Sequence, residues 1–292
     1  MIESGGRTLT VEDAGPPEDF PVLVHCGSGS RHLEPAAVRI AQDHGLRLIS
    51  YDRPSYGGST PMPGRAIADC APDVEAVLSE LGISRIAVWG FSGGGSYALA
   101  TAALLPDAVE AVCLIASLGP FDAPGLDFLE GMDDSYREEV RVFFEDRDAA
   151  RAKFRAESAE MYVRLSRPEG WLKLWGDRAG TDPAHGVEVA QYLADKFLDG
   201  WTRGDEGWWD DWSAFLSPWG FDLNAVAAPV SLWHGLADTR CPPGHGRWFA
   251  EHIPQITAHF PADEDHTNIE ENNRVAGYQW ILQTVLNHPE SR

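Results

Sequence analysis

Ser92 stands in the run Gly90-Phe91-Ser92-Gly93-Gly94, and its neighbours suit it to nucleophilic chemistry. A serine attacks an acyl carbon only if a base removes its proton, and the base needs a partner that fixes its tautomer and stabilises the imidazolium. Ten histidines compete for the role of base. His266 is preferred because it follows a short apolar run, 256–260, by the loop Pro261-Ala262-Asp263-Glu264-Asp265, which brings it to the end of a strand. Asp238 is preferred as the orienting acid because it lies four residues beyond another such run, 229–234. Asp122, just past the run that ends near Ala116, is the reserve acid.

The elements around the pentapeptide give it meaning. A strand over 85–89 enters it and a helix over 92–105 leaves it, the strand-turn-helix setting in which a sharp turn exposes a serine. Such a turn needs Gly90 and Gly94, which carry no Cβ, while Gly93 offers a bare N–H beside the reacting carbonyl. Glycines at a helix start also serve phosphate binding, but that pattern ends in a lysine, and no Lys or Arg follows Ser92 on the helix side. Further apolar runs at 21–25, 47–51, 109–116, 229–234 and 256–260 alternate with helical patterns over 33–44, 65–81, 244–253 and 267–287. This is the rhythm of a mostly parallel sheet wrapped by helices. Pro72 predicts a kink or a restart inside the second helical stretch. From about 121 to 220 the rhythm stops, and the chain becomes helical, charged and rich in tryptophan, with seven of the eleven: Trp171, Trp175, Trp201, Trp208, Trp209, Trp212 and Trp219. Aromatic side chains fill helical cores and also line apolar pockets; the cluster as a whole is read as the roof of a pocket.

These motifs together resemble the alpha/beta-hydrolase superfamily over residues 8–287, the insertion apart. Besides the serine turn, His25-Cys26-Gly27-Ser28-Gly29-Ser30 resembles the family's His-Gly-x-Pro-Gly oxyanion loop, and Asp52-Arg53-Pro54-Ser55-Tyr56-Gly57-Gly58-Ser59 its D-x-P-G-x-G-x-S turn. His234-Gly235-Leu236-Ala237-Asp238 looks like the acid-bearing loop, and Asp265-His266 holds the place of the final histidine, so that the order Ser, Asp, His is the fold's own. The resemblance implies an α/β fold with a mostly parallel sheet and a helical cap inserted after the sixth strand. The core is expected over 1–120 and 221–292 and the Trp-rich cap over 121–220. It also implies an oxyanion hole from the N–H groups of Gly27 and Gly93, structural roles for His25 and His234, an acyl-enzyme on Ser92, and no metal or organic cofactor. Phe91, Trp208, Trp209 and Trp212 are the candidate pocket residues. The sequence departs from the family at Cys26, where glycine is usual, at Ser28, where proline is common, and at Asp265, where a small residue is more frequent. Asp263, Glu264 and Asp265 also surround His266 with negative charge.

The implied substrate is a small or medium, largely apolar ester or amide. Prolyl aminopeptidase-like and carbon-carbon bond hydrolases share the same apparatus. A peptidase of free N-termini would need a carboxylate to meet the ammonium, and Asp205, Glu206, Asp210 and Asp211 are the candidates. A small-molecule receptor with little turnover is the reading from a different class. The formal net charge of −22 argues against a nucleic-acid partner, since such affinity is carried by Lys and Arg neutralising phosphates, and it disfavours anionic membranes. No apolar run approaches the roughly 20 residues of a spanning helix, and Met1 to Thr10 has neither a basic start nor an apolar stretch, so the expectation is a soluble, cytoplasmic protein. Cys26, Cys70, Cys113 and Cys241 are too scattered for a disulfide framework and are read as free thiols. Oligomeric state is not legible.

Overall fold

The short apolar runs become strands because β-branched and aliphatic residues buried on both faces suit a covered parallel sheet. In a computed structural model, which describes residues 1–29, 31–175 and 183–287, they are β4 (Phe20–His25), β5 (Leu46–Tyr51), β6 (Ile86–Phe91), β7 (Val109–Ile115), β8 (Val230–Trp233) and β9 (Ile256–His259). Ser30 of the loop motif, residues 176–182 of the insertion and the side chain of Trp175 lie outside the described residues. The amino-terminal edge supplies three short strands that carry no apolar run: β1 (Ile2–Ser4) and β2 (Arg7–Leu9), which form their own hairpin, and β3 (Val11–Ala14), which pairs antiparallel with β5. The seven-stranded sheet has the order β3-β5-β4-β6-β7-β8-β9, and every pair beyond β3 is parallel.

Register places the chemistry. His25 lies opposite Gly90, Gly90 opposite Leu114, and Leu114 opposite Leu232, so the carboxyl ends of β4, β6, β7 and β8 finish level. The loops that leave them therefore start side by side at one edge, where open parallel sheets place their ligands.

Helices α1 (Pro35–Asp43) and α10 (Ile269–Asn287) cover one face of the sheet, and α2 (Cys70–Glu80) and α3 (Gly94–Leu104) the other. Residues 94–103 of α3 are all buried, which suits a helix that is small and apolar on every side. Pro72 produces a restart and no kink. A 3-10 turn over Ile67–Asp69 ends where α2 begins, and Pro72 falls in the first turn of α2, where an N–H has no intrahelical partner to lose. Leu23, Ile49, Val88 and Leu114 are fully buried, each contributing about 1.5–3 kcal/mol of apolar transfer.

Between β7 and β8 the chain forms α4 (Asp134–Glu145), α5 (Arg147–Leu165), α6 (Pro168–Trp175), α7 (Pro183–Gly200) and α8 (Glu206–Phe215); α9 (Pro243–His252) follows β8. This helical stretch follows β7, which is seventh in chain order because the amino-terminal edge is split into the β1–β2 hairpin and β3. No helix among the described residues is long and apolar enough to cross a membrane.

Candidate active site

Strand β6 runs through Phe91, two residues further than its apolar run, and α3 starts at Gly94 where the pattern placed the helix start at Ser92. The reason is Ser92 itself. Its φ of 53° lies in the left-handed region, which side chains other than glycine rarely adopt and which neither strand nor right-handed helix can contain. Such strain persists where the surroundings fix it, and here its effect is to lift the side chain out of the turn. The backbone N–H of Ser92 is held at 2.9 Å by the Ile115 carbonyl of β7. Gly94 is required for a separate reason: a Cβ there would overlap the carbonyl oxygens of His25 and Cys26, so only glycine lets the loop after β4 lie against the start of α3.

The hydroxyl of Ser92 is 3.0 Å from Nε2 of His266, whose Nδ1 is 2.8 Å from Oδ2 of Asp238. Asp238 is 2% exposed, and its other oxygen accepts the backbone N–H groups of Arg240 and Cys241 at 2.8 and 2.9 Å. The three residues predicted from sequence are thus brought together in one line. The Asp238 loop is braced from below, where buried His234 donates from Nε2 to the Cys241 carbonyl at 2.7 Å. His25 is likewise structural, with Nε2 2.9 Å from the Thr101 hydroxyl. Burial, assisted by the nearby Arg53 charge, pushes His25 down to about 3, and burial holds His234 below the usual histidine range, so both stay neutral. Asp122 is exposed in a separate cleft with Trp219, Phe221 and Trp248, and the position against His266 Nδ1 belongs to Asp238.

Gly27 flanks the serine, since a Cβ built on it would sit 3.5 Å from the Ser92 Cβ and 3.3 Å from the Phe91 ring. Gly93 is the residue before α3, and its N–H is among those a helix start leaves without an intrahelical partner. The departures from the family pattern are absorbed locally. The Cys26 thiol is buried 3.6 Å from the Ser50 hydroxyl and 3.7 Å from the Arg31 and His32 carbonyls. Asp265 accepts the N–H and hydroxyl of Thr267 at 2.8 and 2.6 Å, and Glu264 accepts the amides of Asn272 and Asn273, so two of the three acids beside His266 shape the turn into α10.

Helix α8 divides the candidate pocket residues. Positions 208, 211 and 215 share one face, and that face meets the core. Trp208 packs on Tyr56 at 5.1 Å between ring centres, Asp211 is buried, and the Phe215 ring lies where a Cβ on Gly93 would be. Trp209 lies about 100° round the helix from Trp208, and Trp212, one turn after Trp208, falls between the two directions. Trp209 packs among Phe143 and Phe154, and Trp212 against Tyr136, inside the helical insertion. Phe91 stays at the site, its ring 5.2 Å from that of His266. Phe215 is the residue missed by sequence reasoning; its signal was the i, i+3, i+7 spacing from Trp208 through Asp211.

Three of the four acids proposed for an ammonium are already engaged. Asp205 pairs with Arg151 at 2.5 Å, Asp210 accepts from Ser55 at 2.6 Å and pairs with Arg65 at 3.2 Å, and Asp211 is held by arginines and tyrosines of the core. Glu206 is exposed.

The sequence of residues 22–273 matches the family model described as alpha/beta hydrolase fold. Among curated proteins, the chain is 27% identical over 257 residues to a "Probable proline iminopeptidase" of Streptomyces coelicolor, a match covering 82% of this chain and 78% of that one. It is 24% identical over 230 residues to a 2-hydroxy-6-oxononadienedioate/2-hydroxy-6-oxononatrienedioate hydrolase of Klebsiella pneumoniae, covering 70% and 77%. Among solved structures, a carboxylesterase of the ammonia-oxidizing thaumarchaeon Nitrososphaera gargenis aligns with a TM-score of 0.67 at 17% identity over 97% of this chain and 99% of that one. The enol-lactonase of Burkholderia xenovorans aligns with a TM-score of 0.65 at 18% identity over 97% and 98%. At such identity these structures speak to the fold alone.

Proposed function

The chain belongs to the alpha/beta hydrolase fold family, and from that premise we propose that it is a serine hydrolase with Ser92 as its nucleophile, acting on a small or medium, largely apolar ester. The observation that carries the reading is the unbroken line from Ser92 through His266 to Asp238, with separations of 3.0 and 2.8 Å, on a serine held in the left-handed conformation.

Each residue has a defined task. His266 takes the Ser92 proton as the oxygen attacks the acyl carbon, and Asp238 stabilises the imidazolium and keeps Nε2 free to accept. The N–H groups of Gly27 and Gly93 meet the oxyanion, each worth about 3 kcal/mol of transition-state stabilisation. His266 then protonates the leaving alcohol, and water attacks the acyl-enzyme by the same route in reverse. Residues 121–220 act as a cap over this centre, with Phe91 and Phe215 bounding the acyl group. An ester is favoured over an aminoacyl substrate because Asp205, Asp210 and Asp211 are committed to internal partners.

The test is labelling with a fluorophosphonate probe, followed by a screen of p-nitrophenyl esters, lactones and aminoacyl anilides. Labelling lost in Ser92→Ala, together with ester turnover, is the expected result. Ligand-dependent stabilisation without labelling would replace the enzyme by a receptor.

A further inference from the structure

Building on that reading, we infer that Arg53, clamped by Asp211 of α8, is the positioning residue of the oxyanion hole, so that the helical insertion sets the aim of the Gly27 N–H.

A peptide bond is planar. The Cys26 carbonyl and the Gly27 N–H belong to one trans unit, so fixing the oxygen on one side fixes the direction of the N–H on the other. Arg53 Nη1 donates to the Cys26 carbonyl at 2.9 Å, and Nη2 donates to the Gly27 carbonyl at 2.9 Å. A single rigid guanidinium therefore holds two successive peptide planes. From the other side the loop is backed by α3, where the His25 and Cys26 carbonyls press so close to Gly94 that no side chain would fit.

The guanidinium is itself immobilised. Its Nη2 and Nε reach the two oxygens of Asp211 at 2.6 and 3.3 Å, a forked pairing with defined geometry, and it lies 4.6 Å over the ring of Tyr97. Asp211 is completely buried and accepts, besides Arg53, Arg65 at 2.5 Å, Tyr97 at 2.7 Å and Tyr56 at 3.0 Å. Burial works against its charge, but Arg53 and Arg65 outweigh it and hold the carboxyl below its ordinary range, so the clamp is ionised. Asp211 lies 158 residues from Arg53 in sequence, on the same face of α8 as Phe215. Helix α8 thus reaches the oxyanion hole twice, through Arg53 at Gly27 and through Phe215 at Gly93.

An oxyanion donor stabilises the transition state only if it is aimed beforehand, and removing one costs about 10²–10³ in kcat. Arg53→Lys keeps the charge but cannot span two carbonyls and a carboxylate. Its expected effect is a fall of about 10²-fold in kcat on a p-nitrophenyl ester, with KM within about threefold. The affinity for an alkyl boronic acid, whose tetrahedral adduct needs the hole, should fall by a similar factor. The position of the pH profile should not move, since Ser92, His266 and Asp238 are untouched. Arg65→Lys is the control for mere structural loss: Arg65 grips the same carboxylate but no loop carbonyl, and this variant should keep kcat within a few-fold. Asp211→Asn should follow Arg53→Lys, more weakly.

Equal losses in Arg53→Lys and Arg65→Lys, or boronic-acid affinity undiminished in Arg53→Lys, would overturn the inference. Fluorophosphonate labelling of the unmodified protein separates this from the parent reading. If Ser92 labels and Arg53→Lys labels at the same rate, only the positioning role falls; if Ser92 does not label, both fall.

Discussion

Asp238 spends its two oxygens differently, one on the backbone of its own loop and one on His266, and the division makes its replacement informative. In Asp238→Asn the side-chain carbonyl oxygen would still accept the Arg240 and Cys241 N–H groups. The new amide nitrogen would then face Nδ1 of His266 and donate to it, forcing the ring proton onto Nε2, where no Ser92 proton can be accepted. Asp238→Asn is therefore expected to fold normally and to lose about 10⁴-fold in kcat, measured on any ester the unmodified protein turns over. These residues were legible in sequence because each follows directly from the end of an apolar run, and the level strand ends bring such positions together. Arg53 was legible only as part of a turn motif. Its partners lie 26, 27 and 158 residues away, and no spacing rule connects them.

Helix α8 shows what composition alone leaves undecided. Its three tryptophans read as one cluster, yet they part: Trp208 packs between Tyr56 of the core and Phe197 and Trp201 of the insertion, while Trp209 packs among Phe143 and Phe154 and Trp212 against Tyr136. The same geometry hides two carboxylates, Asp210 and Asp211, inside the protein, where an acidic stretch otherwise suggests a solvated face. Different outcomes follow for the two faces. Trp209→Ala should lower stability by about 3 kcal/mol in denaturant unfolding while leaving kcat/KM within a few-fold. Phe215→Ala should instead enlarge the space over Gly93 and shift the preferred acyl chain to greater length, seen as a change in rank order of kcat/KM across p-nitrophenyl esters. An unchanged rank order would remove Phe215 from the acyl pocket.

At the scale of the whole molecule, the sheet and its loops are tied together by histidines that must stay uncharged. His25 braces the oxyanion loop, His234 the acid loop, and His245 joins α9 to two points of the segment between β7 and α4, with Nδ1 3.1 Å from the Gly119 N–H and Nε2 3.1 Å from the Phe128 carbonyl. Burial pushes His245 down to about 4, with the neighbouring His234 adding to it, and burial pushes His25 to about 3. In the unfolded chain both titrate near 6.5, so between that value and about 4 the unfolded state binds protons that the folded state refuses. The stability they contribute is complete above pH 6.5 and is lost as pH falls. Between pH 7 and pH 5 each should cost about 2 kcal/mol. Glu139, which burial and the neighbouring Glu157 push up to about 7, works in the opposite direction over the same interval, so the difference between a histidine variant and the unmodified protein, and not the total loss, isolates the histidine. Asp211, held below the carboxylate range, gives way only at still lower pH. His245→Gln can keep an acceptor toward Gly119 and has no charge to gain, so its melting temperature at pH 7 should fall modestly while its loss between pH 7 and pH 5 should shrink by about 2 kcal/mol. Melting curves for both proteins across that interval decide the matter: parallel pH dependence would mean that acid lability arises elsewhere than at His245.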